Sequence, residues 1–106
     1  MKAITTRLAG VQFGDCQQNI KLFGNGPELG IGEYDLVREP DNPYDKYAVQ
    51  VCFGDFSLGY LPRNVASIVA PIMDAGKNLA AKFVSLNRSP YHDSVGLTIK
   101  IIELTT

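Results

Sequence analysis

Residues 36–49 have the sequence Leu36-Val37-Arg38-Glu39-Pro40-Asp41-Asn42-Pro43-Tyr44-Asp45-Lys46-Tyr47-Ala48-Val49. The stretch begins as the apolar end of one strand and finishes in another, with two prolines, two aspartates and an asparagine between them. Proline fixes φ, and Asn and Asp side chains bond to their own backbone, so we expect a stiff, pre-shaped loop. This motif loop (residues 40–46) presents the ring of Tyr44 beside the polar side chains of Asp41, Asn42 and Asp45. Such a combination favours gripping the end of a flat, polar ligand.

The size and charge of the chain limit what it can bind. At 106 residues with 45% hydrophobic residues, it is expected to form a single domain over residues 1–106 with one modest core. The formal net charge is −1 and the sequence pI is about 5.7, so no basic field covers the whole surface. Any contact with nucleic acid is therefore expected to be local and small.

Two cysteines, Cys16 and Cys52, lie 36 residues apart in sequence without neighbouring His or Cys at metal-ligand spacing. We interpret both as small apolar residues, Cys52 within a strand and Cys16 near a loop, in a reducing compartment. No stretch is apolar for long enough to span a membrane, and the N-terminus lacks the layout of a secretion signal. The sequence therefore predicts a soluble, cytoplasmic protein that makes no contact with membranes.

Alternating apolar residues and turn signals predict six strands. Their expected bounds are residues 4–13, 34–39, 47–53, 56–61, 79–86 and 95–104. Gly54-Asp55 predicts a hairpin between the third and fourth strands, and residues 87–94 read as a polar loop. Residues 17–23 fit one or two turns of helix, followed by a long glycine-rich loop.

A helix is predicted between the fourth and fifth strands. Apolar residues recur there with helical spacing at Val65, Ile68, Val69, Ile72 and Met73. Pro71 interrupts this stripe, so we expect either a kinked helix or two short ones. Six strands without βαβ alternation then predict a mainly β fold, a small and partly closed antiparallel barrel of the OB or SH3 type with one helical insert.

Catalytic chemistry has little support in the sequence. Asp41 and Asp45 are the close carboxylate pair of the motif loop, but nothing supplies the further ligands that a hydrolytic metal site needs. His92 is the sole histidine, placed in the predicted polar loop, and no glycine-rich segment precedes a helix as a phosphate-binding loop does. We expect no enzyme activity, no catalytic or metal site and no cofactor; a hydrolase built on Asp41 and Asp45 is the weakest alternative.

Aromatic and basic residues near the motif loop suit unstacked bases and a few phosphates. Phe13 ends the first predicted strand, Tyr60 closes the fourth, and Tyr44 tops the loop. Small barrels can stack bases on such rings, although rings at barrel ends can equally well cover the core. The cations nearest these rings by predicted topology are Arg38, Lys46, Arg63 and Arg88. Four charges are enough to neutralise a few phosphates. The alternative is that they are scattered surface charges.

With these residues in place, the chain resembles the HIRAN domain family, in its stand-alone bacterial or phage form. The resemblance runs from about Thr6 to Leu104. It rests on the segments Ala9-Gly10-Val11-Gln12-Phe13, residues 36–45, Ala48-Val49-Gln50-Val51, Leu58-Gly59-Tyr60-Leu61-Pro62-Arg63 and the amphipathic helix that follows. The most specific part is Asn42-Pro43-Tyr44-Asp45, followed by a valine-rich strand and Gly-Tyr-Leu-Pro.

The resemblance implies an OB-like barrel that captures the 3′-hydroxyl end of single-stranded DNA in repair or replication, beside a helicase or nuclease partner. It implies that Tyr44 and Phe13 sandwich the terminal base and that Asp45 accepts a hydrogen bond from the 3′-hydroxyl. Asn42 would either support the loop or touch the terminal nucleotide. Arg63 would approach the phosphates. The expected binding set is Phe13, Arg38, Asn42, Tyr44, Asp45, Lys46, Tyr60 and Arg63.

Two departures from the family pattern bear on this role. Gln12-Phe13 replaces an Arg-Tyr pair of the eukaryotic end-binding members, which removes one phosphate contact, and Tyr60 replaces a histidine seen in some of them. A second function from another class therefore stays open. It is a protein-interaction adaptor that uses the same face for an acidic or arginine-containing peptide.

Overall fold

The computed structural model describes residues 1–104, apart from the side chain of Pro27. In chain order the elements are β1 (Ile4–Arg7), α1 (Cys16–Phe23), a 3-10 helix (Gly26–Leu29), β2 (Asp35–Arg38), β3 (Val49–Phe53), β4 (Phe56–Tyr60), α2 (Arg63–Asp74), β5 (Leu79–Ser89) and β6 (His92–Glu103). The predicted succession of six strands with a helix between the fourth and fifth is confirmed.

The strands form two antiparallel sheets of three strands each, in the orders β1-β6-β5 and β2-β3-β4. One isolated bridge joins the sheets at each side, between Ala9 and Tyr60 and between Tyr34 and Ala81. The mainly β, OB-like prediction is confirmed. The sheets are not a closed barrel, because single bridges replace continuous ladders at both sides.

The core lies between the two sheets and follows the period-two alternation of their strands. In β6 the fully buried side chains are Leu97, Ile99 and Ile101, and Val49 and Val51 face them from β3. Tyr34 is 1% exposed and donates its hydroxyl hydrogen to the Phe23 carbonyl at 2.8 Å, which fastens α1 to the core.

The buried side of α2 includes Val65, Val69 and Met73 of the predicted stripe but not Ile68. Its fully buried side chains are Ala66, Val69 and Ala70, whereas Ile68 is 57% exposed. Alanine adds little to a hydropathy pattern, but its small side chain lets a helix pack closely on a sheet. α2 is one helix through Pro71 rather than two. Since this turn is exposed, water can solvate the carbonyl group that proline leaves without a partner.

Three strand bounds were predicted wrongly: the end of β5, the start of β6 and the end of β1. Residues 87–94 are not a loop, because β5 and β6 remain paired as far as Ser89 and His92. Side-chain hydrogen bonds reinforce this polar pairing, for instance from Asn87 Nδ2 to Thr98 Oγ1 at 2.7 Å. β1 ends at Arg7 rather than at residue 13, because Gly10 turns the chain at φ 65°.

Replacing Gly59 with alanine is expected to destabilise the protein strongly. Gly59 has φ 145°, and a Cβ there would lie 2.8 Å from the Ala9 carbonyl oxygen, within the contact that joins the two sheets. Backbone strain of this kind costs about 1–3 kcal/mol, and the clash adds to it. We therefore expect the melting temperature to fall by at least 4–8 °C, the shift that about 1 kcal/mol produces in a domain of this size.

The matched control is Gly32→Ala, because a Cβ at Gly32 meets no atom within 4 Å and its backbone is not left-handed. Thermal unfolding followed by circular dichroism compares the two variants. Equal melting temperatures would contradict the importance of the contact between Gly59 and Ala9.

Candidate functional site

A groove of about 650 Å³ opens where the bridge between Ala9 and Tyr60 joins the two sheets. Three segments contribute its walls: the turn after β1, the connection from β2 to β3, and the junction of β4 with α2. The lining residues are Ala9, Gly10, Phe13, Asn42, Pro43, Tyr44, Asp45, Ala48, Tyr60, Leu61 and Arg63. Six of the eight predicted site residues therefore come together in one place.

Asn42 holds the motif loop in shape. Its Oδ1 accepts hydrogen bonds from the backbone N–H groups of Tyr44 at 2.9 Å and Asp45 at 3.2 Å. Its Nδ2 donates to Glu39 Oε1 at 3.1 Å. Asp45 Oδ1 then accepts the N–H of Tyr47 at 2.9 Å, which leaves its second carboxylate oxygen for a ligand. The loop is pre-shaped by side chains bonding to nearby backbone, as its composition predicts.

Two aromatic rings stand in solvent at the groove. Phe13 is 77% exposed and Tyr44 is 83% exposed, so neither ring is part of the core. Gly10 lies beside Phe13 and Tyr60, and a Cβ there would be 3.4 Å from Phe13 Cδ2 and 3.9 Å from Tyr60 Cδ1. Because glycine has no side chain, all three rings border an open space large enough for a flat ligand.

Tyr60 is tied to a carboxylate below the groove. Its hydroxyl donates to the Glu39 carboxylate, with both oxygens at 3.0 Å, and accepts from Gln50 Nε2 at 3.4 Å. Burial, the hydrogen bond to Glu39 and the charge of Glu39 raise the pKa of Tyr60 to about 12. The hydroxyl is therefore neutral and already bonded, which leaves the ring as the surface offered to a ligand.

Arg63 supplies the positive charge of the groove. It is the first residue of α2, so the positive end of the helix dipole lies beside its own charge. Its Nη2 donates to the Tyr44 carbonyl oxygen at 2.9 Å and fastens α2 to the motif loop. Among residues 1–104 no other acceptor engages this guanidinium, so its remaining donors can reach an anion.

Arg38 and Lys46 do not line the groove, contrary to the expected binding set. The Arg38 guanidinium pairs with Asp74 at 3.1 Å and donates to the Ala48 carbonyl at 3.2 Å, so it joins β2 to the end of α2. Lys46 extends over the Tyr47 ring, with Nζ 5.1 Å from its centroid. Arg88 belongs to β5 and is also outside the groove. These three cations were placed near the rings by predicted topology, which does not determine where long side chains point.

Glu39 supports the site, although its sequence context did not predict this role. It does not line the groove, but it connects Asn42 with Tyr60 through the hydrogen bonds given above. The spacing of Glu39 and Asn42 within one turn was visible in the sequence. The bond to Tyr60 was not, because it depends on how β2 and β4 flank β3.

The carboxylates of Asp41 and Asp45 do not face a common site. Asp45 lines the groove and Asp41 does not. Within the described part of the chain, no three His, Cys, Asp or Glu side chains are close enough to hold a metal ion. No helix within residues 1–104 is long and apolar enough to cross a membrane.

Comparison with known proteins identifies a family. The family described as HIRAN domain matches residues 6–101. A Fanconi-associated nuclease 1 homolog from Arabidopsis thaliana is 31% identical over 95% of this chain, and the helicase-like transcription factor of Mus musculus is 37% identical over 57% of it. The matched regions are 10% and 7% of those two proteins, so the chain spans only a small part of the length of these relatives.

Two solved structures share the fold. One is the HIRAN domain of human HLTF, with a TM-score of 0.64 and 17% identity, covering 95% of this chain and 74% of that one. The other is a protein from Lactobacillus plantarum, with a TM-score of 0.71 and 24% identity, covering 97% of this chain and 98% of that one. Both cover nearly all of this chain, so the two-sheet arrangement with its helices is a shared fold.

Proposed function

Because this chain belongs to the HIRAN domain family, we propose that it is a non-catalytic DNA-binding module whose groove captures the 3′-hydroxyl end of a single strand. One observation carries the proposal. Asn42 fixes Tyr44 and Asp45 side by side at the groove, so an exposed ring and a carboxylate are presented together before any ligand arrives.

The rings account for affinity. In the proposed complex the terminal base stacks on Tyr44, and Phe13 contacts it from the turn after β1. Stacking on an aromatic side chain contributes about 1–3 kcal/mol per base and does not depend strongly on which base it is. Since both rings are already exposed, binding would not have to extract them from the core.

The carboxylate of Asp45 explains why the groove would prefer a free 3′ end. The free oxygen of Asp45 can accept a hydrogen bond from a 3′-hydroxyl, and a charge-assisted bond of this kind is among the stronger ones. A phosphate at the same position would bring a second negative charge against Asp45, which is unfavourable. The same atom therefore favours a free end and disfavours both a 3′-phosphate and the interior of a strand.

In the proposed complex, Arg63 and the start of α2 bind the phosphate next to the terminal nucleotide. The guanidinium of Arg63 has donors left for a phosphate oxygen, and the helix dipole adds favourable charge. One cation neutralises about one phosphate, so binding in the groove should depend only weakly on salt. The groove thus suits the last few nucleotides and not a long strand.

The cellular setting belongs to the same proposal. Two relatives are named as a nuclease and a helicase-like factor, which supports a role beside a DNA-processing enzyme in repair or replication. Cys16 and Cys52 are both buried and neither forms a disulfide, which fits a reducing compartment such as the cytoplasm. On this view the module supplies end recognition, and a partner supplies the chemistry.

Fluorescence anisotropy tests the proposal. A short strand labelled at its 5′ end is titrated with the protein, in one form with a 3′-hydroxyl and in the other with a 3′-phosphate. We expect at least about tenfold tighter binding of the hydroxyl form, the equivalent of about 1.4 kcal/mol. Equal affinities would overturn end capture. Absence of binding to both strands would favour the adaptor function, which a search for bound peptides would then address.

A further inference from the structure

The outer face of the sheet β1-β6-β5 carries an exposed group of cations. Strand pairing places Lys100 directly opposite Lys82, and Arg7 opposite Thr98 in a neighbouring row. Directly paired residues point to the same side of a sheet. All three cations are exposed, and together they form what we call the basic face (Arg7, Lys82 and Lys100). The net charge of the whole protein is nevertheless −1.

Polar side chains next to these cations are joined by hydrogen bonds. Ser85 Oγ donates to Asn87 Oδ1 at 2.9 Å, and Asn87 Nδ2 donates to Thr98 Oγ1 at 2.7 Å. The Arg7 guanidinium lies over Gly96, where an added Cβ would be 3.0 Å from its Nη2. Hydroxyl and amide groups between cations are the partners that DNA phosphates take in proteins.

The charges of the basic face are not neutralised within the fold. β1 and β5 contain no Asp or Glu, and β6 has carboxylates only near its ends, at Asp93 and Glu103. Among residues 1–104 the ion pairs are those of Met1 with Glu103 and of Arg38 with Asp74. Like charges directly opposite each other destabilise a sheet, so the pair of Lys82 and Lys100 is a cost that an external anion would relieve.

The chain leads from the basic face to the groove just after β1 ends at Arg7. Ala9, which lines the groove, follows Arg7 by two residues, and Leu8 between them is buried. In extended backbone, residues two apart point to the same side. Two residues of extended strand span about 7 Å, so Arg7 lies close to the groove.

From this continuity we propose that the basic face binds the phosphate backbone of the DNA strand whose 3′ end occupies the groove. The inference rests on the proposed function, and it adds the path of the strand. The terminal nucleotides bind in the groove at Tyr44 and Asp45. The phosphates upstream of them pass beside Arg7 and reach Lys82 and Lys100.

Anisotropy with two strand lengths tests this path. We expect a trinucleotide to occupy the groove alone and a strand of about 16 nucleotides to reach the basic face as well. For Lys82→Gln/Lys100→Gln we expect unchanged affinity for the trinucleotide and about tenfold weaker binding of the long strand at low salt. The slope of log K against log salt for the long strand should become shallower by about 1.4, which corresponds to two phosphate contacts.

The matched control is Arg88→Gln. Arg88 is an exposed cation of the same hairpin, but it pairs with the buried Val95 and so lies on the other side of the sheet. This variant should bind both strands as the wild type does.

Thermal unfolding gives an independent readout, because Lys82→Glu removes the repulsion with Lys100. A higher melting temperature together with weaker binding of the long strand cannot result from misfolding.

Two outcomes would overturn the inference. One is that Lys82→Gln/Lys100→Gln binds the long strand with the affinity and salt slope of the wild type, while the protein still prefers the trinucleotide with a 3′-hydroxyl. The other is displacement of the long strand by polyglutamate as efficiently as by unlabelled DNA, which would make the face a general anion site. Failure of the proposed function itself is distinct, since it appears as loss of the 3′-hydroxyl preference on the trinucleotide.

Discussion

Replacing Asp45 with asparagine is expected to abolish the preference for a 3′-hydroxyl over a 3′-phosphate. Asparagine has nearly the same shape, and its Oδ1 can still accept the N–H of Tyr47, now 2.9 Å from Asp45 Oδ1. The variant loses only the charge and the free carboxylate oxygen. A hydrogen bond to a charged group contributes about 1.5–3 kcal/mol, so the 3′-hydroxyl strand should bind about 10- to 100-fold more weakly.

Binding of the 3′-phosphate strand should move in the opposite direction. Removing the negative charge relieves its repulsion of phosphate, so its affinity should stay the same or rise. Anisotropy with the two labelled strands measures both effects. This opposite change separates loss of selectivity from general damage to the groove.

Asp41→Asn is the matched control for this prediction. Asp41 is an exposed carboxylate of the same motif loop, but it does not line the groove. The control removes the same charge a few residues away and should keep the wild-type preference. A similar loss of preference in both variants would show that net charge of the loop, and not the free oxygen of Asp45, makes the distinction.

Replacing Asn42 with alanine is expected to weaken DNA binding at least as much and to destabilise the protein as well. The change removes the acceptor of two backbone N–H groups, those of Tyr44 and Asp45, and the donor to Glu39. The ring and the carboxylate would lose their common anchor, so stacking and end recognition should fail together. Each lost hydrogen bond costs about 0.5–1.5 kcal/mol of stability, and the melting temperature should fall accordingly.

Amide hydrogen exchange connects this loss to the loop. The amides of Tyr44 and Asp45 should exchange faster in Asn42→Ala, whereas the amides of β3 should keep their protection. Asn78→Ala is the control, because Asn78 is an exposed amide residue outside the groove. Unchanged exchange at Tyr44 and Asp45 would show that the prolines alone shape the loop.

The parts of the site that could be predicted depend on local chemistry. Asn42 was expected to support its own loop or to touch the terminal nucleotide, and its Oδ1 bonds to backbone only two and three residues ahead, as the first alternative requires. Tyr44 was expected to be exposed rather than part of the core, and it is 83% exposed. The hairpin at Gly54-Asp55 was predicted from its turn residues, and Gly54 adopts φ 58° there.

The wrong predictions concern side chains whose positions depend on residues far away in the sequence. Hydropathy placed Ile68 on the core side of α2, but Ile68 is 57% exposed, and Ala66 and Ala70 are fully buried instead. Arg38 was assigned to the binding set, yet Asp74, 36 residues away in sequence, engages its guanidinium. Glu39 was overlooked, although it connects Tyr60 with the motif loop.

The sequence by itself determined the family, the mainly β class, the order of the elements and the stiffness of the motif loop. These properties depend on turn chemistry and on periodicity, which act over a few residues. Only the tertiary structure decided that Phe13, Tyr44, Tyr60 and Arg63 meet at one groove and that Arg7, Lys82 and Lys100 share one face. Strand pairing and the contact between the two sheets bring these residues together, and those contacts join segments that are far apart in the chain.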